Sequence, residues 1–237
     1  MAGRYLLEIS VESAGAAVAA ERGGADRIEL CTELAVGGVT PSAELMRAAR
    51  TAVKVPIFAM IRPRAGDFAY SGEEFAVMRA SIELAKRLEM DGVVLGLLTN
   101  GNLIDVPRTQ ELVDLARGME VTFHRAIDET ADLLGAVEDV VATGASRILT
   151  SGGQPTALAG AARIADMISR TRERVVILPG AGINVANVAE VARKTGAQEF
   201  HSGLSSVIGA RASTGKFEEE VRKLVKRLRE TQLSGDR

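Results

Sequence analysis

Charged and polar side chains stand where the short hydrophobic runs of this chain end. Glu8 lies in Leu6-Leu7-Glu8-Ile9 and Glu29 in Arg27-Ile28-Glu29-Leu30-Cys31. Arg62 and Arg64 follow Phe58-Ala59-Met60-Ile61, and His124 and Arg125 follow Val121-Thr122-Phe123. Thr150, Ser151, Gly152 and Gly153 follow Ile148-Leu149, and His201 follows Phe200. An unpaired ion buried in a hydrophobic strand costs roughly several kcal/mol or more. Charge repeated at strand after strand therefore points to one shared polar site at the mouth of a sheet or barrel.

Two carboxylates, Glu8 and Glu29, beside imidazole and guanidinium groups have the chemistry for acid–base catalysis, with His124 as a third candidate for proton transfer. The alternative is a buried ion network that only fills the barrel centre. Arg62-Pro63-Arg64 puts two guanidiniums at a loop mouth, where arginine suits bidentate capture of carboxylate or phosphate; pairing with Glu8, Glu29 or Asp67 is the competing use. Ser151-Gly152-Gly153 and Pro179-Gly180-Ala181-Gly182-Ile183-Asn184 are glycine-rich turns whose backbone N–H groups can approach an anion, with His201-Ser202-Gly203 a third loop on the same face. Thr150, Ser151, Gly152, Gly153, Gly180, Gly182, Arg125 and His201 join Arg62 and Arg64 as candidate ligand-binding residues. Glycine used for turn geometry alone is the simpler explanation of the loops.

The elements that must position these residues alternate. Strands are expected over 5–9, 27–31, 57–61, 92–96, 121–124, 147–150, 175–178 and 199–201. Helices are expected over 14–22, 42–52, 73–88, 109–117, 133–143, 157–170, 185–194 and 216–230. Pro41 and Pro107 sit where an early helical residue tolerates proline, and Ser71 with Glu74 forms a helix-start signature. Eight β/α alternations predict a single (β/α)₈ barrel of the TIM type, with an open doubly wound sheet as the rival. Gly24-Ala25-Asp26, Gly144-Ala145-Ser146 and Gly196-Ala197-Gln198 each lead into an even-numbered strand, and Met90-Asp91 is a weaker version at the fourth. Such an echo suits a barrel of repeated (βα)₂ units, though Gly is also common at helix C-termini. No linker or second domain stands out, so one domain is expected over 1–237, with its core at about 5–205 and a C-terminal helix at 216–230.

Hydrophobic residues make up 46% of the chain and charged residues 25%, the balance of a soluble globular protein with ample core. Aromatic residues are only 3%, with no Trp, which leaves little to stack on bases. A net charge of -2 and a pI near 5.9 supply no basic field for nucleic acid or anionic membrane. No apolar run approaches the roughly 18 residues of a membrane span, and the N-terminus lacks a signal-peptide pattern. A single cysteine excludes an intramolecular disulfide and suits a reducing compartment, so a cytoplasmic location is expected. That cysteine, Cys31, is either a small buried hydrophobe or a soft ligand that Met60 on the adjacent strand can join to hold Cu(I). No zinc-type ligand spacing is present.

Taken together, the motifs resemble the CutC family, named for copper homeostasis. The resemblance rests on Gly23-Gly24-Ala25-Asp26-Arg27-Ile28-Glu29-Leu30-Cys31, Gly37-Gly38-Val39-Thr40-Pro41-Ser42, Met60-Ile61-Arg62-Pro63-Arg64 and Gly66-Asp67-Phe68. It rests equally on Val121-Thr122-Phe123-His124-Arg125-Ala126, on Arg147-Ile148-Leu149-Thr150-Ser151-Gly152-Gly153-Gln154-Pro155 and on Glu199-Phe200-His201, in order over roughly 5–205. It implies a cytoplasmic, homo-oligomeric TIM-type barrel that handles copper, as Cu(I) through cysteine. This chain departs from the family pattern in having Ser10 and Ala69 where members often carry cysteine, so Cys31 alone remains. Three expectations follow: a copper-handling protein using Cys31 and Met60; an enzyme moving protons on a small anionic or phosphorylated metabolite in an isomerase, epimerase or lyase step; or a non-catalytic binding or scaffold barrel.

Overall fold

The computed structural model describes residues 4–204 and 213–235. Eight strands, β1 (Leu6–Val11), β2 (Arg27–Leu30), β3 (Ile57–Met60), β4 (Gly92–Leu95), β5 (Glu120–Phe123), β6 (Arg147–Thr150), β7 (Val176–Pro179) and β8 (Glu199–Ser202), form one parallel sheet. They pair in the order β7-β6-β5-β4-β3-β2-β1-β8. At the remaining seam, the Ser202 hydroxyl at the end of β8 donates to the Ile183 carbonyl beyond β7 at 2.7 Å. The sheet thus curls into the (β/α)₈ barrel that the alternation predicts.

Helices follow the strands on the outside: α1 (Ala14–Gly23), α2 (Ala43–Ala52), α3 (Gly72–Arg87), α4 (Val106–Leu115), α5 (Leu133–Thr143), α6 (Ala161–Thr171), α7 (Val188–Thr195) and α8 (Thr214–Gly235). Their starts are chemically specified. Ser13, Ser42, Asp105 and Asp132 accept backbone N–H groups as N-caps, and Ser71 with Glu74 forms a full capping box. Helix α4 begins three residues before its expected start, because Asp105 caps it and Pro107 fits its first turn. Helix α6 begins four residues late, because Gly160 is pressed against the loop after β6: a Cβ there would lie 1.9 Å from the Ser151 carbonyl oxygen.

The echo before even strands has a physical basis. Gly24 and Gly144 close α1 and α5 in the left-handed conformation that favours glycine. The polar residue two positions on then accepts the N–H of the preceding strand: Asp26 from Leu7, Ser146 from Val121, and Asp91 in the same way from Ile57. The β1–β2, β3–β4 and β5–β6 pairs are thus each pinned at their entrance by one short side chain. The main core, between sheet and helices, is aliphatic: Ile9, Ile28, Leu30, Ile57, Leu95, Ile148, Met46 and Ile82 are all fully buried.

Candidate functional site

Inside the barrel the layers differ. At the N-terminal ends of the strands, Arg27, Arg147 and Glu199, each the first residue of its strand, meet in one ion network. Arg27 bonds Glu199 at 2.7 Å, and Arg147 bonds the same Glu199 oxygen at 2.8 Å and also Glu120. Both guanidiniums lie over the Phe58 ring, at 4.9 and 5.4 Å. This ion network is built from residues other than the expected site candidates, and it plugs the barrel floor.

Glu8 links that floor to the mouth. The register sets Glu8 opposite Arg27 on one side and His201 on the other. Its carboxylate accepts from Arg27 Nε and meets His201 Nδ1 at 2.7 Å. Burial alone would raise its pKa, but Arg27 and His201 outweigh burial and bring it down to about 2. Glu8 is therefore a fixed anion that orients His201, not a group that trades protons near neutrality.

Glu29 is one pleat nearer the mouth, opposite Ser10 and Phe58. It lacks the partners that Glu8 has. Its Oε2 is buried without a hydrogen bond to any described residue, and His201 Nε2 stands 4.0 Å from its Oε1. Burial pushes its pKa up to about 7, against the pull of the His201 charge. His201 itself is raised: burial opposes the charged form, but Glu29 and Glu8 together favour it.

His124 follows β5 and caps a 3-10 turn, Arg125–Glu129, through its ring: Nδ1 accepts the Ala126 N–H at 3.2 Å. The ring fits because a glycine, Gly96, follows β4, where a Cβ would come within 2.4 Å of Nδ1. Burial, with Arg62 nearby, drives its pKa down to about 3. The imidazole is then neutral with its proton on Nε2, a buried donor without a partner among the described residues.

Arg62 spends three donor contacts on carbonyls, Val36 at 2.9 Å, Gly38 at 3.1 Å and Gly66 at 2.8 Å, and stacks on Phe68. Its Nε stays unpartnered among the described residues. Arg64 turns away: it binds Glu74, Asp67 and the Ala69 carbonyl and organises the loop before α3.

A cavity of about 550 Å³ opens over these groups at the C-terminal ends of the strands, where barrels carry their sites. Of the residues singled out in the sequence, Glu29, Met60, Arg62, His124, Arg125, Gly153, Gly182 and His201 line it. Glu8 and Cys31 lie beneath it, Arg64 lies outside, and Thr150, Ser151, Gly152 and Gly180 do not reach its wall. Gly180 is needed for space, since a Cβ there would fall 2.4 Å from Leu149 Cδ1.

The glycine loop after β6 already holds an anion, and it is Asp128. Its carboxylate accepts N–H groups from Ser151 and Gly153 and hydroxyls from Thr150 and Ser151, at 2.5–3.2 Å. Arg125 pairs with the same carboxylate at 3.0 Å. The expected phosphate cradle is thus filled from within the chain, and Arg125 is partly neutralised. Asp128 was invisible in the sequence because a lone Asp in a loop carries no pattern. Ser10 was also missed: its hydroxyl lines the cavity, buried and unpartnered among the described residues.

The soft donors, Cys31 and Met60, lie side by side beneath Gly38. Cys31 packs with Phe58, Met60 and Val94. A Cβ on Gly38 would touch Cys31 Sγ at 3.2 Å and Met60 Cε at 3.5 Å, so the two sulfur side chains adjoin one spot. The thiol, however, donates weakly to the Val11 carbonyl at 3.8 Å, and burial beside Glu29 and Glu12 raises its pKa. A protonated thiol and one thioether fall short of the ligand set that Cu(I) prefers. Glu8, Glu29 and His201 have ligand atoms within 4.8 Å of one another, but they are hard donors, and Glu8 is already bound to Arg27.

Comparison with known proteins agrees with the motifs. The CutC family model matches residues 5–206. The chain belongs to the CutC family. It is 45% identical over 205 residues to a family protein CutC of Xylella fastidiosa (strain 9a5c), covering 86% of this chain and 77% of that protein. It is 44% identical over 202 residues to the human copper homeostasis protein cutC homolog, covering 85% and 74%. The solved CutC structure from Streptococcus agalactiae, named for copper homeostasis, superposes with a TM-score of 0.80 at 30% identity, covering 84% of this chain and 98% of that one. Among the described residues of this CutC chain, no helix is long and apolar enough to cross a membrane.

Proposed function

We propose that this chain serves copper homeostasis, as its relatives are named, and that its working part is the barrel-mouth cavity, which holds a small oxygen-rich, anionic molecule and moves a proton on it. Glu29 carries this reading: it lines the cavity, its pKa is near 7, and its Oε2 is buried without a partner among the described residues, so it is poised to take and return protons at neutral pH. His201, oriented by Glu8, is the partner acid. His124 offers a neutral N–H to a developing oxyanion, and Arg62 Nε faces an acidic group. The reaction class is proton transfer next to a carbonyl. Among the expected ligand residues, Gly153 and Gly182 form part of the wall, Thr150 and Ser151 support it through Asp128, and the Gly152 N–H donates to the Thr150 hydroxyl. The lone reduced Cys31 supports a cytoplasmic setting, and the family resemblance supports a homo-oligomer built from one barrel domain spanning 1–237.

Direct binding of Cu(I) at Cys31 and Met60 is the second reading, favoured by the family's names and by the adjacency of the two sulfur side chains. An anaerobic Cu(I) titration against a chelator, on wild type and Cys31→Ser, separates the two. Weak binding that the substitution leaves unchanged is expected; tight binding lost in the variant would make the ion itself the ligand. A thermal-shift screen of carboxylated and phosphorylated metabolites, with Arg62→Ala as control, then tests the cavity. A Tm increase in wild type that the variant loses is expected, and no shift with any of them would count against it.

A further inference from the structure

The separation of Glu29 and His201 says which proton-transfer chemistry the cavity can perform, on the reading that it performs one at all. Two bases that invert a carbon must approach it from opposite faces, each at roughly 3 Å, and so stand about 6 Å apart. Glu29 Oε1 and His201 Nε2 are 4.0 Å apart. That distance is too long for a direct hydrogen bond and too short to admit a carbon between them. It suits two groups that touch neighbouring atoms of one molecule from the same side. His201 cannot swing away, because Nδ1 is held by Glu8, whose other oxygen is held by Arg27. Three other cavity-lining residues, Ser10, Arg62 and His124, each hold a buried polar atom (Oγ, Nε and Nε2) without a partner among the described residues, and these suit further ligand oxygens.

We infer that the cavity takes α-hydroxycarbonyl compounds and shifts their carbonyl to the adjacent carbon by single-face proton transfer, with Glu29 acting on carbon and His201 on oxygen. Glu29 carboxylate takes the proton from the carbon that bears the hydroxyl. The C–H electrons form a C=C bond, the carbonyl π electrons move to oxygen, and that oxygen takes the Nε2 proton of the His201 imidazolium. The neutral imidazole then takes the proton of the neighbouring hydroxyl. That oxygen becomes the new carbonyl as the C=C electrons recover the Glu29 proton at the adjacent carbon. No electrons are gained or lost overall, and both residues return to their starting states. His124 donates its Nε2 proton in a hydrogen bond to the enediolate oxygen, and Ser10 and Arg62 hold the remaining oxygens.

The test is proton exchange in D₂O followed by ¹H NMR. The full chain is incubated with glyceraldehyde, ribose and 3-hydroxypyruvate, and separately with pyruvate and acetoacetate, which lack an α-hydroxyl. Deuterium incorporation with carbonyl migration in a hydroxycarbonyl, slowed roughly 100-fold or more in Glu29→Gln, is the expected result. His201→Asn, whose amide can still meet Glu8 in place of Nδ1, should retain the fold by circular dichroism and lose migration. Exchange confined to the compounds without a hydroxyl would leave the proton-transfer reading standing and overturn the hydroxycarbonyl assignment. Inversion at carbon without carbonyl migration would overturn the single-face geometry. No exchange in any probe would overturn both.

Discussion

Glu8 and His201 are joined across the β1–β8 junction by a 2.7 Å hydrogen bond, and the same Glu8 carboxylate is held by Arg27 from β2. One buried anion thus ties the structural floor of the barrel to the group that faces its cavity. Such a residue influences stability and site geometry together, because removing it strands a buried guanidinium and frees an imidazole.

Glu8→Gln is expected to destabilise the fold by about 3–5 kcal/mol, the usual cost of leaving one member of a buried pair uncompensated. Urea unfolding at pH 7 measures it. Because the folded pKa of Glu8 is depressed to about 2 from 4.5, its contribution is present above about pH 4.5. It fades as the pH falls towards 2, so the gap between wild type and variant should narrow with acidification. A gap independent of pH would contradict the assigned charge.

Glu29→Gln should act in the opposite direction. With a folded pKa near 7 against 4.5 unfolded, Glu29 is protonated in the fold at low pH at little cost. Stability falls between about pH 4.5 and 7, as the unfolded chain ionises while the fold does not. The variant should match wild type near pH 4 and exceed it by up to roughly 3 kcal/mol at pH 8. Equal Tm values at both pH values would show that Glu29 is not held protonated.

Asp128→Ala should empty the amide nest formed by Ser151 and Gly153. A loss of about 2–3 kcal/mol is expected from the unpaired donors. Inorganic phosphate or sulfate should recover part of the Tm in the variant and little in wild type, since an anion can replace the missing carboxylate. Identical anion responses would mean that the nest collapses or was never selective for a carboxylate.

Cys31 should be inert in the native state. It is fully buried, and its thiol pKa is raised by burial and by Glu29. A thiol-reactive chromogen should label it at least 100-fold more slowly in buffer than in denaturant, an order-of-magnitude expectation from the thiolate fraction. Rapid native labelling would reopen Cys31 as a ligand.

The alternation of strands and helices, the polar residues at strand ends and the CutC resemblance were all legible in the sequence. Each is a local pattern: period 2 or 3.6, a cap residue, or a glycine at a helix end. Helix boundaries were less legible where a distant contact set them, as Gly160 against Ser151 delays α6. The division of labour among the polar residues was decided by tertiary structure alone. Glu8 and Glu29 sit in similar hydrophobic runs. Register places one between Arg27 and His201 and the other between Ser10 and Phe58, so one is a fixed anion and the other a proton carrier. The glycine loop after β6 looked open to phosphate until the chain folded Asp128 into it. A charge's role depends on what faces it across the barrel, and those partners come from strands up to 193 residues away, beyond the reach of any local pattern.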